Sequence, residues 1–195
     1  MYLQRHPTSE ECPSQLEDLP YFSGRIHVYH SATARFYAHS NLCGAGGMYR
    51  EQIHSNPSWY GSPWHDTVFV SLDDVLGMQG MVIARVHLFL SFRDPYLDRE
   101  FPCALVSWFV RINDEPDRDT GMWVVSQERE GHSHTSPLTL QVIHLESIAR
   151  GAHLLPVFGT GFLPEDFPFT MALDSFEKYF VNKFADHHTH QLLAE

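Results

Sequence analysis

Hydrophobic and polar residues alternate along most of this chain, and the period changes only near the C-terminus. Alternation with a period of two is typical of strands that bury one face. It recurs in short segments between turn residues, which predicts a succession of strands. The segments are RIHVYH (25–30), TARFYA (33–38), TVFVS (67–71), MVIARVHLFLSF (81–92), CALVSWFVRI (103–112), MWVV (122–125), LQVIHL (140–145) and LLPVF (154–158). Many short strands without full-length helices between them favour a small barrel or a sandwich.

Two of these segments are long and strongly apolar, which predicts that they form the centre of the sheet. In MVIARVHLFLSF the alternation assigns one face to Val82, Ala84, Val86, Leu88, Leu90 and Phe92. Arg85, His87 and Ser91 then fall on the opposite face. CALVSWFVRI is apolar on both faces, as expected for a central strand that is buried on both sides.

Three other segments carry helical or turn signals. The glycines of CGAGGM (43–48) precede MYREQIH (48–54), for which we predict a short helix, and ESIARGAH (146–153) predicts a short helix or a turn. In TMALDSFEKYFVNKFADHH (170–188) the period becomes 3.6, which predicts an amphipathic helix. Its apolar face comprises Leu173, Phe176, Phe180 and Phe184.

The predicted fold is mainly β (α+β), a small, partly open β-barrel with a C-terminal amphipathic helix. We expect a flexible acidic arm over residues 1–20, a barrel-like domain over 21–165, and a helix packed on the barrel within 166–195. A chain of 195 residues that is 43% hydrophobic is long enough to bury one sizeable core. We therefore predict a single folded domain with appended segments.

Charge and cysteine usage narrow the functional classes. The chain has 13 Lys and Arg against 24 Asp and Glu, so direct binding of nucleic acid is expected to be weak or absent. The three cysteines show no CxxC spacing, which predicts reduced thiols and an intracellular location, nuclear or cytoplasmic. The longest apolar stretch is too short and too charged to span a bilayer, so we expect no membrane partner.

The run DHHTH (186–190) is the strongest candidate for a metal site. Zinc binds imidazole and carboxylate groups, and on a helix Asp186 or His187 can approach His190. Further ligands would have to come from His144 and His153. The alternative is that histidines near a helix C-terminus cap the last carbonyls and interact with the dipole. We favour this alternative and expect no metal and no other cofactor.

An aromatic group in the loop SNPSWYGSPWHD (55–66) is a candidate binding surface. It comprises Trp59, Tyr60 and Trp64. Such a group forms either a satellite hydrophobic cluster or a cage for a cation. No ordered set of Ser, His and Asp or of Cys and His residues indicates nucleophilic catalysis.

Several blocks along the chain resemble a known family. FYAHSNLCGAGGMYRE, DTVFV, GMVIARVHLFLSF, FPCALVSWFVR, DEPDRDTGMWVV, VIHLESIARGAHLLPVFG and FVNKFADHH follow in the order seen in the C-terminal region of Plavaka-type transposase proteins of fungal DNA transposons. These proteins are relatives of the Kyakuja, Dileera and Zisupton group. The resemblance runs from about residue 25 to the end. It implies a tail module that lacks the RNase H-type catalytic core of the full-length transposase.

A second resemblance concerns the fold. The order ARVHLFLSF, ALVSWFVR, VIHLESI and LLPVF is similar to the order of blocks in bromo-adjacent homology domains, which are interaction modules on chromatin. Trp108, Phe109 and Arg111 would take the places of that family's aromatic motif, with Val110 departing from it. The expected function is a non-catalytic module that binds a protein or chromatin partner. The alternatives are a metal-dependent hydrolase or nuclease and a weak nucleic-acid-binding accessory domain.

Overall fold

Strands dominate the structure. A computed structural model describes residues 22–38, 45–72, 77–94, 98–131, 133 and 135–194, so the predicted arm (1–20), Cys12 and Cys43 lie outside the described residues. Strands account for 52% of the described structure and helical segments for 14%, which confirms the mainly β prediction. The strands are β1 (Ile26–Tyr29), β2 (Ser31–Tyr37), β3 (Met48–Trp59), β4 (Ser62–His65), β5 (Thr67–Ser71), β6 (Met81–Asp94), β7 (Arg99–Arg111), β8 (Val124–Gln127), β9 (Leu140–His144), β10 (Ile148–Ala152), β11 (Leu154–Pro156) and β12 (Tyr179–Val181).

Seven strands form a barrel-like sheet in the order β10-β5-β6-β7-β8-β12-β11. The two ends of this path, β10 and β11, follow each other in the chain with only His153 between them. The sheet therefore curls until its ends are close, and the barrel is nearly closed. Strand β1 also pairs with β6, and β9 with β7. The prediction of a small, partly open β-barrel is confirmed.

The centre of the sheet is formed by β6 and β7, as the apolar runs predicted. A register shift between Val86 and Leu88 marks a β-bulge at His87, and a bulge reverses the alternation of faces beyond it. Phe89 consequently joins Val86 in one buried cluster. The predicted single face from Val82 to Phe92 is therefore wrong beyond Val86, because a period of two does not reveal an inserted residue.

The bulge half-buries a histidine whose protonation should affect stability. Burial, and then the charges of Arg85 and His65, lower the pKa of His87 to about 4 from an ordinary value of 6.5. Its Nε2 lies 2.8 Å from the Ser107 hydroxyl. The unfolded chain thus binds a proton at a higher pH than the folded protein does. This group's contribution to stability is complete above about pH 6.5 and is lost as the pH falls towards 4.

We expect the free energy of unfolding to decrease as the pH is lowered from about 6.5 to about 4. His87→Gln should remove most of this decrease. Denaturant titrations of both proteins across the range measure it. A residual slope should remain because burial and Arg85 also lower the pKa of His65. Equal slopes for the two proteins would contradict the expected role of His87.

A second sheet, β2-β3-β4, lies against the first, with β2 and β3 next to β10 and β3 next to β6. Its long strand β3 includes residues 48–54, for which a helix was predicted, so that prediction is wrong. The segment pairs with β2 over its whole length, from Tyr37 opposite Met48 to Ser31 opposite His54. Pairing across the sheet overrides a weak local preference. The preceding Gly46 and Gly47 do adopt positive φ, 67° and 79°.

The C-terminal segment differs most from its prediction. Residues 170–188 do not form one helix; they contain a short helix α1 (Ala172–Ser175) and strand β12, and a second helix α2 (His187–Ala194) follows. Strand β12 pairs with β8 on one side and with β11 on the other. The YFV triplet is apolar on both faces, so a buried strand is as compatible with it as a helix. The C-terminal segment therefore contributes a strand, β12, to the barrel sheet itself.

The segment predicted as a short helix or turn after β9 also forms part of the sheet. A single 3₁₀ turn covers Leu145–Ser147, and β10 follows directly. Among the described residues, the core has two clusters, one centred on Phe69, Phe109 and Tyr179 and the other on Val68, Val86 and Val106. Across the described residues, no helix is long and apolar enough to cross a membrane.

Candidate functional site

The aromatic group predicted near residue 60 lies on a tight β-hairpin. Strands β3 and β4 are joined by Tyr60 and Gly61, with Trp59 paired opposite Ser62. Both turn residues have positive φ, 48° and 86°, as a type I′ turn needs. Glycine adopts this conformation freely, whereas tyrosine pays about 1–2 kcal/mol for it. The turn places Tyr60 at the tip of the hairpin, where it is 96% exposed.

The three aromatic rings form one cluster. The centroid of Trp59 lies 5.3 Å from that of Tyr60, at 89°, and 6.4 Å from that of Trp64, at 67°. These edge-to-face arrangements are the favoured ones for aromatic pairs. The Asp66 carboxylate fixes the base of the cluster, because it accepts hydrogen bonds from Trp64 Nε1 and from the backbone N–H of His54, both at 2.7 Å. The sequence correctly grouped these rings, but assigned them to a loop.

The second predicted surface, Trp108, Phe109 and Arg111, is not assembled as one patch. Phe109 is only 2% exposed and belongs to the core cluster of Tyr179. Trp108 donates from Nε1 to Gln141 at 3.0 Å and packs on the other core cluster. Arg111 is exposed and its guanidinium lies 5.4 Å from the Trp123 ring centroid. Adjacent residues of a strand point to opposite faces, which separates Trp108 from Phe109.

The DHHTH run lies at the start of a helix, which reverses the predicted arrangement. Asp186 precedes α2 and accepts a hydrogen bond from the backbone N–H of Thr189 at 2.8 Å, so it is the N-cap. His187 is exposed on the first turn, and His190 is exposed with its ring 6.0 Å from that of Phe184. The predicted C-terminal capping by histidines is therefore wrong. The negative charge of Asp186 is the one that the dipole favours at this end.

Asp186 is also the main partner of a buried arginine. Arg150, 4% exposed, donates to both carboxylate oxygens of Asp186, at 3.0 and 2.6 Å. Its guanidinium lies 4.7 Å from the Phe36 ring centroid, on which the His188 ring also stacks. Burial alone would raise the pKa of Asp186, but hydrogen bonds from Arg150 and Thr189 lower it to about 2. Asp186 thus joins the helix to strand β10.

The remaining predicted metal ligands have other partners. His144 Nδ1 accepts from the backbone N–H of Glu146 at 3.3 Å, and His153 Nδ1 lies 3.2 Å from the Asn182 side-chain amide. Within the described part of the chain, no three His, Cys, Asp or Glu side chains converge so that they could hold a metal ion. The five predicted ligands therefore do not form a joint site there.

No protein-family model, curated protein or solved structure matches the chain. The resemblance to Plavaka-type transposase proteins and to bromo-adjacent homology domains therefore stays a prediction. Function has to be argued from the chemistry of the surfaces and cavities themselves.

An apolar sheet face is a feature that the sequence did not predict as exposed. In the part of β6 that follows the bulge at His87, the sheet consists of β1, β6, β7 and β9. Residues paired across neighbouring strands share a face of this sheet. Val28 lies opposite Leu90, and Val142 opposite Leu105. Val28 and Val142 are 51% and 52% exposed. The alternating pattern predicted strands here, but a pattern cannot show that none of the described residues covers this part of the sheet.

Two buried arginines were also not predicted as site residues. Arg85 on β6 is 6% exposed, and Arg150 on β10 is 4% exposed. The sequence predicts Arg85 on the polar face of a strand, and Arg150 in a short helix or a turn. Arginine is almost never fully buried unless it is paired, so no signal in a single sequence identifies such residues.

Proposed function

We propose that the protein is a non-catalytic interaction module of a transposon-derived protein, and that the β3–β4 hairpin binds its protein partner. The observation that carries this proposal is the exposed cluster of Trp59, Tyr60 and Trp64 at a strained turn. Tyrosine and tryptophan are the residues most enriched at the energetic centres of protein interfaces. A hairpin closed by a two-residue turn, with its rings packed on one another, leaves them less conformational entropy to lose on binding than an open loop would.

The strain at Tyr60 supports a role in binding more than one in folding. Its ring is 96% exposed, so it contributes little to the core. A residue such as asparagine would form the same turn at lower cost. A conformation that costs stability, at a residue with almost no buried surface, is what a functional constraint explains.

The nature of the partner follows from charge and from exposed apolar surface. The net charge of −11 disfavours a nucleic-acid partner. The open sheet face around Val28 and Val142 supplies further apolar surface for a protein. The resemblance to bromo-adjacent homology domains suggests a chromatin-associated protein as that partner. The protein itself would be located in the nucleus or the cytoplasm.

A photo-crosslinking experiment tests the proposal. We expect a photoreactive phenylalanine analogue at position 60 to give one dominant protein adduct in an extract of cells that contain the protein. The matched control carries the same analogue at Phe162, an equally exposed aromatic residue. Identical adducts from positions 60 and 162 would show that the hairpin is not a specific binding surface.

Competition with Tyr60→Asn separates binding from folding. We expect this variant to be more stable than the wild type by about 0.5–1 kcal/mol, because asparagine is tolerated at positive φ. Excess unlabelled wild-type protein should suppress the adduct at position 60, whereas excess Tyr60→Asn protein should not. If the stabilised variant competes as well as the wild type, the Tyr60 ring has no part in binding. Chemical denaturation provides the stability measurement.

A further inference from the structure

The aromatic rings of the β3–β4 hairpin have no cation beside them from their own segment. Residues 55–66, which carry these rings, contain no Lys or Arg. Elsewhere in the described part of the chain, a Lys or Arg side chain lies over the rings of Phe36, Phe101, Trp123 and Phe184. None of these cations lies over a ring of the hairpin, although tryptophan attracts cations more strongly than phenylalanine does.

The same rings are open to solvent. Tyr60 is 96% exposed, Trp59 45% and Trp64 41%. The neighbouring rings meet edge to face, and in such a pair the ring that contributes its edge keeps both faces uncovered by its partner. The face of a ring carries the negative part of its quadrupole, which is where a cation is attracted. The hairpin therefore offers aromatic acceptors to a cation that comes from another molecule.

Asp66 makes Trp64 the strongest of these acceptors. Trp64 Nε1 donates to a carboxylate oxygen of Asp66 at 2.7 Å, which is a charge-assisted hydrogen bond. Donation to a carboxylate polarises the indole, so that its ring becomes richer in electrons. Within the described residues, the ion-pair contact of Asp66 is with His54 and not with a Lys or Arg. A cation on the face of Trp64 would be attracted both by the ring and by this carboxylate.

The charges of an adjacent cavity also favour a cation. Trp64 forms part of the wall of this cavity, which has a volume of about 500 Å³. The Arg, Asp and Glu side chains that line it are Arg85, Arg150, Glu51, Asp66 and Asp186. Two positive and three negative charges leave its wall with a net charge of −1, with histidines counted as neutral. Both arginines already hold a carboxylate at 2.6 Å, those of Asp174 and Asp186.

We propose that the protein partner of the hairpin presents an arginine, whose guanidinium stacks on the face of Trp64 beside Asp66. This inference rests on the proposed function, because it names the chemistry that the hairpin recognises. Arginine fits better than lysine, since a planar guanidinium stacks on an aromatic face and still has N–H groups to donate to a carboxylate. The net charge of −11 adds a long-range attraction for a basic segment.

Titration of the whole chain with three matched peptides tests the proposal. The probes are acetyl-GRGRGRG-amide and the same peptide with lysine or with neutral citrulline in place of arginine. We expect the arginine peptide to bind about threefold more tightly than the lysine peptide and at least about tenfold more tightly than the citrulline peptide. In nuclear magnetic resonance spectra, the indole N–H signal of Trp64 should shift on binding and that of Trp123 should not.

Two results of this titration would overturn the proposal. Equal affinities for the arginine and lysine peptides would mean that the net charge alone attracts them. Equal affinities for the arginine and citrulline peptides, or no binding of the arginine peptide at millimolar concentration, would mean that the hairpin does not recognise a cation. A specific adduct from position 60 together with either result would leave the hairpin as a binding surface and refute only the arginine.

A variant and a labelled protein identify the ring. Trp64→Leu keeps an apolar side chain but removes the aromatic face, and it should weaken binding of the arginine peptide by about threefold or more. Phe162→Leu, which removes a fully exposed ring elsewhere, is the matched control and should leave the affinity unchanged. Fluorinated tryptophans keep the shape of the ring but withdraw electron density from its face, so the affinity should fall with each added fluorine. An affinity that is unchanged by fluorination, or by Trp64→Leu in a folded protein, would refute the site.

Discussion

Replacing Tyr179 by alanine should lower the free energy of unfolding by about 3–5 kcal/mol, the usual cost of deleting a buried aromatic ring. Tyr179 is fully buried and packs edge-on against Phe109, with centroids 5.7 Å apart. Its hydroxyl lies 2.9 and 3.1 Å from the carbonyl oxygens of Phe176 and Ala172. The ring thus joins β12 and α1 to the core of the barrel. Denaturant titration measures the loss.

Two further variants make this a test of the C-terminal fold. A continuous helix over residues 170–188 would bury Phe180 and Phe184 and expose Tyr179. In the structure Phe184 is 62% exposed, so Phe184→Ala should cost less than about 0.5 kcal/mol. Tyr179→Phe should cost about 1 kcal/mol, the contribution of a typical hydrogen bond. If Phe184→Ala proved more damaging than Tyr179→Ala, the strand assignment of β12 would be refuted.

The sequence predicts the sheet well where apolar residues are continuous. Strands β6 and β7 are long and apolar, so no other structure competes with them. Strand β3 was missed because its first half carries Arg50, Glu51 and Gln52 without a clear alternation. It is held by pairing with β2, which is tertiary information. Local pattern therefore predicts an element when burial determines it, and fails when strand pairing does.

In the candidate sites, too, groups of residues that are close in the sequence were predicted, and groups assembled by strand pairing were not. Trp59, Tyr60 and Trp64 were grouped correctly because they are close in the sequence, and the Tyr60–Gly61 turn keeps them close in space. The cavity lined by Arg85 and Arg150 could not be predicted, because these residues are 65 positions apart and only the pairing of β6 and β10 with strand β5 brings their strands together. Asp186 was recognised as chemically important, but its partner was not. A charge is expected to face solvent until a structure reveals what neutralises it.

Replacing Asp186 by alanine should lower the free energy of unfolding by about 2–4 kcal/mol. The change leaves the guanidinium of Arg150 buried without its main counter-ion. The cost lies below the roughly 3–5 kcal/mol of a fully buried pair, because the Asp186 side chain is 40% exposed. The change also removes the N-cap of α2, worth about 1 kcal/mol. Glu51, 3.8 Å from Arg150 Nε, should reduce the loss but not prevent it. Thermal and denaturant unfolding measure the effect.

Asp186→Asn separates the two contributions, because asparagine caps a helix but carries no charge. We expect it to be less destabilising than Asp186→Ala above the ordinary carboxyl pKa of 3.8. The difference from the wild type should vanish as the pH falls towards 2, where Asp186 itself becomes protonated.

His187→Ala is the control for a metal at the DHHTH run, since this exposed histidine has no part in the Arg150 pair. It should change stability by less than about 0.5 kcal/mol, and a chelator should leave the melting temperature unchanged. If His187→Ala and the chelator each destabilised the protein as much as Asp186→Ala does, a metal ion rather than Arg150 would hold helix α2. If His187→Ala and the chelator both have small effects, the ion pair between Asp186 and the buried Arg150 remains the explanation for the cost of Asp186→Ala.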